Sequence, residues 1–548
     1  MSNAAAGDFA THTRFHGLDA LRAIAMSLGI ILHAAWMMIP EDAGAPKIDA
    51  SANGLFTYLC LAIHTFRMQL FFVLAGLFAC LLLQKRGTLH FLKNRVSRIV
   101  VPLVALWVIL CPIMVWQYNA AGLQSGRILT DESAASLTRQ FLAGMSPSGT
   151  LLVHLWFLNY LVWIYLIFML TRLLIGFVDS AGKLRGLLSH GFGKISESGF
   201  SVVVFAVPFA VPLFLQRGAW GIEVSVASFV PSPSGLICYF MYFVAGWLLF
   251  HRIKHLPEVV RYWPWWMGIG VLLTLPFYFY TQTAPHVGYA TWKYPLLTVE
   301  DIRHVGDLPD YQAFREHLLR ADPDSTPGKT FAALPIAYGD FIRRQQKADE
   351  DQFKGLLESI NTKVLGDPSF VLGGETTPDG KRRQLESSFA GVIHPDAKTR
   401  PFYFLQRAAF AYLFTVTSWS LIIAFLGCSQ AFFNRASRFW RYYSDASYWF
   451  YLAHLPIQFQ LLLWFGDRDW HPAAKFGFYV LTTFAVLVPS YHLLIRPTWF
   501  GYLLNGRMGS IWPKNRDNAT TATVPSPLAH VPISQRPISE STSLELRR

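Results

Sequence analysis

Ten stretches of this chain are built to cross a bilayer, and that constrains the fold more than any other feature. They lie at about 18–39, 55–84, 99–117, 151–170, 199–215, 235–250, 264–281, 403–427, 445–465 and 475–495. A hydrocarbon core takes about 20 mostly apolar residues as a helix. Only a helix or a closed barrel satisfies every backbone N–H and C=O where there is no water. The expected fold is an all-α polytopic membrane protein, a bundle of about ten transmembrane helices. The fifth to seventh stretches are the shortest. Composition removes the competing classes, because hydrophobic residues make up 53% and charged residues only 15%. An average soluble domain carries about 25% charged residues. So little charge does not clothe a soluble enzyme, a coiled coil or a disordered chain. The first stretch holds Asp19, Arg22 and His33 and exceeds a signal-peptide core, so it is expected to be retained.

The net charge of +13 is explained by topology. One alternating set of short loops carries fifteen Lys and Arg, the other five. The positive-inside rule places the richer set, with Lys85, Arg86, Lys93, Arg95 and Arg98, on the cytoplasmic side. Both termini are then cytoplasmic, as an even number of spans requires. Residues 282–400 break the pattern, with 17 of the 34 acidic residues and 15 basic ones. Long loops translocate largely regardless of charge, so this polar insert is expected outside. The expected organisation is a first transmembrane part over 1–281 (about seven helices), the insert over 282–400, a last transmembrane part over 401–497 (about three helices) and a Ser/Thr/Pro-rich disordered cytoplasmic tail over 513–548. Five cysteines, Cys60, Cys80, Cys111, Cys238 and Cys428, lie in or beside apolar stretches without a CxxC pair, which reads as buried thiols. A Lys/Arg cluster for nucleic acid and a phosphate-binding GxxxxGK are absent, and no metal site is expected.

Ionisable residues inside the spans carry the functional signal, since each costs at least about 2.5–3.5 kcal/mol to insert. In the first span, LDALRAIAMSLGIILHAAW, Arg22 and His33 are eleven residues apart and face the same way. Asp19 stands one turn before Arg22 and is placed to pair with it. His33 sits roughly 16 Å further along the axis, in the outer half. The second span carries His64 and Arg67 on one face at similar depth, within HTFRMQLFFVLAG. Arg95 and Arg98 form RVSR at the cytoplasmic entry to the third span, where paired guanidiniums suit phosphates. Positive-inside anchoring alone would also place them there. HLWFL opens the fourth span with His154 and Trp156, and SYWFYLAHLPIQF fills the ninth with Ser447, Tyr448, Tyr451 and His454 before Pro456. Interfacial aromatic belts account for Trp156 and Trp449 but leave His454 unexplained.

Arg-x10-His in the first span, RxxR before the third and SYxxYLxHxP late in the chain resemble the acyltransferase 3 family of membrane proteins. FRMQLFFVLAG and HLWFL narrow the resemblance to its branch that succinylates osmoregulated periplasmic glucans. The resemblance spans about 15–281 and 403–497. It implies an enzyme of the bacterial inner membrane that takes an acyl group from cytosolic acyl-CoA and delivers it to a hydroxyl of a periplasmic or cell-envelope glycan. The donor is then succinyl-CoA or acetyl-CoA, with no metal. Implied partners are acyl-CoA, the glycan acceptor and the bilayer, with glucan synthesis machinery or a second copy beside them. His33 carries over as the catalytic histidine, Arg22 (paired with Asp19) as its motif partner, and Arg95 and Arg98 as the acyl-CoA site. His64, Arg67, His154, Trp156, Tyr448 and His454 are expected at the acceptor. Two departures stand out. Residues 282–400 have no counterpart, and Ala75 precedes Gly76 where the family has a small hydroxyl residue.

The chemistry of the residues agrees with that expectation. Acylating a hydroxyl needs a base, and an imidazole titrating near neutrality suits the task. The thioester oxygen turns negative and needs a cation or hydrogen-bond donors, which Arg67 or His64 would supply. Direct transfer and a covalent acyl-histidine step both stay open. Intramembrane His and Arg also mark proton-coupled pathways, so a secondary transporter or glycan exporter is the alternative. It lacks the two related halves usual in transporters. A receptor whose insert binds a partner would leave the intramembrane ions without a role.

Overall fold

The computed structural model describes residues 15–39, 48–124, 150–179, 182–215, 221–283 apart from 227, 403–506, and a few isolated positions between them. All fall within one compact unit, Met1–Gly509. The expected insert, after its first two residues, and the expected tail lie outside the described residues. Among the described residues every regular element is helical: α1 His16–Met37, α2 Gly54–His64, α3 Arg67–Arg95, α4 Val101–Gln124, α5 Trp156–Val178, α6 Lys183–Glu197, α7 Ser201–Leu215, α8 Pro233–His251, the single turn α9 Leu256–Val259, α10 Trp263–Thr283, α11 Tyr403–Phe432, α12 Arg438–Phe465, α13 Pro472–Ser490 and α14 Trp499–Asn505. A helix stands at each of the ten expected stretches. The protein is thus an all-α polytopic membrane protein.

By length and apolarity, six stretches qualify as membrane-crossing among the described residues, the longest being Gly54–Gln124. The shortfall has physical causes. The helix α7 has 15 residues, about 22 Å of rise against a core of about 30 Å. Residues Arg438, Arg441, Asp445 and His454 dilute the apolarity of α12, and three tryptophans and Pro264 dilute the start of α10. The hydropathy signal therefore weakens at α12, a helix that carries several of the candidate site residues.

The bundle is turned inside out relative to a soluble protein. Large aliphatic side chains such as Val108, Leu166, Leu170, Leu272 and Leu481 face outward, while Thr417, Ser418, Ser420 and Gln458 are fully buried. Lipid makes outward apolarity free of cost, so close backbone approach and interior polar bonds hold the helices together. Gly76 on α3 and Gly246 on α8 show this. A Cβ on Gly76 would sit 1.9 Å from the Phe243 carbonyl oxygen, and one on Gly246 would sit 1.8 Å from that of Val73. The two helices touch backbone to backbone, and neither position accepts even alanine. Cys60, Cys80, Cys111 and Cys238 are buried, Cys428 is half-buried, and none of the five is in a disulfide.

Three departures from regular helix shape the interior. The second span is broken at Thr65–Phe66, so that α2 ends at His64 and α3 starts afresh at Arg67. Gly87, with φ at +74°, turns α3 where the expected span ends. The third break is a wide π-turn at Val96–Val100, within RVSR, and a second π-turn follows α13 at Tyr491–Ile495. Turns of this kind cluster at functional sites.

Candidate active site

A small cavity opens inside the bundle where α1, α3, α5 and α12 converge. Its walls come from Met26 and His33 of α1, Arg67, Met68 and Phe71 of α3, His154 with Trp156 and Phe157, and Tyr451 and His454 of α12. The volume is about 20 Å³, room for about one water molecule. Three imidazoles run along one side. The rings of His33 and His454 have centroids 5.2 Å apart, and those of His454 and His154 lie 5.3 Å apart.

The break in the second span delivers Arg67 to this cavity. As the first residue of a new helix, Arg67 brings a guanidinium and the positive end of the helix dipole to the same place. Its side chain enters because α1 carries glycine opposite it. A Cβ on Gly29 would lie 2.3 Å from Arg67 Nη1. Arg67 is 9% exposed and its Nε has no hydrogen-bond partner. Among the described residues it makes no ion pair. Among the described residues no carboxylate lines the cavity.

Proline sets the state of the histidines. Pro456 has no N–H, so the Leu452 carbonyl four residues earlier loses its helical partner. His154 Nε2 takes that carbonyl at 3.0 Å. His454 Nδ1 faces the carbonyls of Phe450 at 3.0 Å and Tyr451 at 2.8 Å. Carbonyls only accept, so the ring proton sits on Nε2 in His154 and on Nδ1 in His454. The opposite nitrogens, His154 Nδ1 and His454 Nε2, are buried without a hydrogen-bond partner, as is His33 Nδ1. The Tyr451 hydroxyl donates to the His154 carbonyl at 2.6 Å and fixes that turn from the other side. Val153, just before His154, has φ at +46°, a conformation costly for a β-branched residue.

A second cluster lies near the end of the bundle where the basic loops are. Arg22 Nη2 donates to Ser444 Oγ at 2.8 Å and approaches Asp19 at 3.7 Å. The charge of Arg98 is felt together with those of Arg22, Arg95 and Asp445. Arg95 is sandwiched between the rings of Phe91 and Tyr165, at 5.0 and 4.9 Å. Arg98 packs on Gly506, and its carbonyl accepts from the Tyr448 hydroxyl at 2.6 Å.

The residues expected to act together thus divide between two places. His33, Arg67, His154, Trp156 and His454 share the cavity wall. His64 is an electrostatic neighbour of Arg67 and packs on Gly221, just behind the wall. Arg22, Asp19, Arg95, Arg98 and Tyr448 stand together at the other place. A π-turn over Val96–Val100 runs through RVSR, and Arg98 remains an electrostatic neighbour of Arg95. Sequence reasoning passed over Gly29, Met26, Met68, Phe71 and Phe157. It also missed Gln458, whose Nε2 donates to the Ile30 carbonyl at 2.8 Å and ties α12 to α1. A glycine one turn before His33 was the available signal.

The acyltransferase 3 model, described as an acyltransferase domain, matches residues 15–299, just over half of the chain. The chain belongs to this acyltransferase family. Comparison with curated proteins and with solved structures gives no match. As a member of the acyltransferase 3 family, the protein is a membrane acyltransferase in general terms. The matched segment holds His33, Arg67, His154 and Trp156 of the cavity and all three arginines of the second cluster. Tyr451 and His454 lie beyond it, so the family signature alone describes an incomplete wall.

Proposed function

We propose that this acyltransferase is an O-acyltransferase of the bacterial inner membrane. It moves succinyl or acetyl from cytosolic acyl-CoA to a hydroxyl of a periplasmic or cell-envelope glycan. The observation that carries the reading is the cavity: His33 Nδ1 and Arg67 Nε are buried there without a hydrogen-bond partner, and among the described residues no carboxylate lines it. A buried cation without a partner is costly, and its natural complement is a charge that appears only during reaction.

In this reading His33 removes the hydroxyl proton as oxygen attacks the thioester carbonyl. General-base help of this kind is worth about 10²- to 10⁴-fold. Arg67 and the first amides of α3 receive the oxyanion, a contribution of about 10²- to 10³-fold for a single donor in comparable sites. Arg95, Arg98 and Arg22 hold the nucleotide phosphates, which do not enter hydrocarbon. The cavity is too small for an acyl group as it stands. Met26 and Met68, whose unbranched side chains repack readily, give way as the acyl chain enters. The resemblance of FRMQLFFVLAG and HLWFL to glucan biosynthesis protein C supports succinyl as the acyl group and an osmoregulated periplasmic glucan as the acceptor.

Mass spectrometry of envelope glycans from parent, deletion and His33→Ala strains tests this. The expected result is loss of one acyl mass in both mutants, with the variant still inserted in the membrane. The mass difference names the group. Equal acylation in all three strains overturns the reading, and proton-driven uptake by liposomes without acyl-CoA would then make the protein a transporter.

A further inference from the structure

We infer that His454 is a second catalytic residue of this transfer, which carries a proton from His33 to the sulfur of the departing CoA. The inference rests on the reading of the cavity given above. His454 lies outside the segment that matches the family, and α12 sets its place.

Three observations converge on it. His454 lines the same cavity as His33, with ring centroids 5.2 Å apart. Its Nδ1–H is committed to two carbonyls, those of Phe450 and Tyr451. Its Nε2 is buried and has no hydrogen-bond partner. A histidine kept for structure alone would have both ring nitrogens satisfied, as buried polar atoms almost always are. Here one nitrogen is anchored and the other is left as a lone pair beside His33. The anchoring also stabilises the charged ring, because two carbonyl oxygens face the N–H that carries part of the added charge. The groups facing His454 are His33 from α1, Arg67 from α3, His154 from the turn before α5, and Tyr451 on its own helix.

The step balances. The hydroxyl oxygen attacks the thioester carbon and its proton goes to His33. The C–O bond forms, the C–S bond breaks, and the electron pair goes to sulfur. His33, now holding two ring protons, yields one to His454 Nε2. His454 gives that proton to the thiolate, the thiol departs, and both rings end neutral. With ring centroids 5.2 Å apart on the wall of a cavity that holds about one water, the hop needs a small rotation of the rings or one water in the cavity.

The dependence on the leaving group tests the assignment. The full-length protein in lipid nanodiscs is given a β-glucan oligosaccharide with succinyl-CoA or acetyl-CoA, or with thiophenyl esters of the same acyl groups, and thiol release is followed. A thiophenol is acidic enough to leave without a proton. His454→Asn, which keeps a donor toward the Phe450 carbonyl, is expected to lower kcat on the CoA thioester about 10²-fold or more. The donor KM stays unchanged and the loss on the thiophenyl ester is only a few-fold. His454→Gln is expected to repeat the pattern, while His33→Ala loses both donors. Equal loss on the two donors in both variants, or full activity on CoA thioesters, overturns the role of His454 and leaves the reading of the cavity standing. Failure of the unmodified protein to turn over any donor overturns both.

Discussion

Two buried polar clusters in this bundle are built from similar residue types and are treated in opposite ways. In the loop after α1, Asp49 accepts from Lys475 Nζ at 3.0 Å, from the Tyr479 hydroxyl at 2.7 Å and from the Ser51 amide at 2.9 Å. Lys475 spends its remaining protons on the carbonyls of Gly466 and Arg468. Lys475 and Tyr479 are fully buried, and each charge has its complement. In the cavity, Arg67 has no acid beside it, and His33, His154 and His454 each leave a ring nitrogen bare. The first cluster is finished and ties the loop after α1 to the start of α13. The second is unfinished, and a buried site left unfinished is one that waits for a ligand or a transition state.

The sharpest way to break that contrast is Arg67→Gln. If the cavity is catalytic, acyl transfer falls by about 10²- to 10³-fold, as for loss of one oxyanion donor. Thermal stability in nanodiscs holds or rises, because an unpaired buried charge has been removed. A large loss of stability would make Arg67 a structural cation. Asp49→Ala should do the reverse. It strands Lys475 and lowers stability by about 3–5 kcal/mol, while activity per folded molecule persists. Adding Lys475→Met should recover much of the loss, which paired melting curves would show. Pro456→Ala probes the link between helix and histidine. The new N–H recaptures the Leu452 carbonyl, so α12 gains stability, His154 loses its anchor, and kcat falls about tenfold at constant donor KM. Unchanged kcat would separate His154 from the chemistry. The smallest effect belongs to Val153→Gly, which relieves a left-handed φ. Stability should rise by about 1 kcal/mol, with a modest drop in activity as the His154 turn loosens. A fall in stability would show that Val153 contributes more by packing than it costs by strain.

Much of this was legible in the chain. Apolar runs mark spans because lipid tolerates no unbonded backbone. His33, Arg67 and His454 stood out because ions are costly at that depth. Placing His64 and Arg67 at the depth of His33 followed from helix rise alone, and both are electrostatic neighbours of His33 in the folded protein. The partition of Arg22 from His33 also follows from rise, since about 16 Å separates them along one helix. Helix arithmetic did not foresee the π-turn over Val96–Val100 within RVSR, although Arg95 and Arg98 are electrostatic neighbours there.

Local rules therefore sufficed for the position of the ten expected helical stretches, for the membrane as solvent, and for the residues too polar to be there by chance. They hold because each depends on one segment and its surroundings. Which nitrogen of His154 and His454 is bare, whether Arg67 has an acid beside it, and that Gly29 makes room for its guanidinium depend on helices far apart in sequence. The carbonyl that Pro456 leaves free is taken by a histidine 298 positions away from Leu452. Hydrogen bonds and close contacts of that kind exist only once the bundle has packed, so the difference between a finished cluster and a waiting one is written in the tertiary structure.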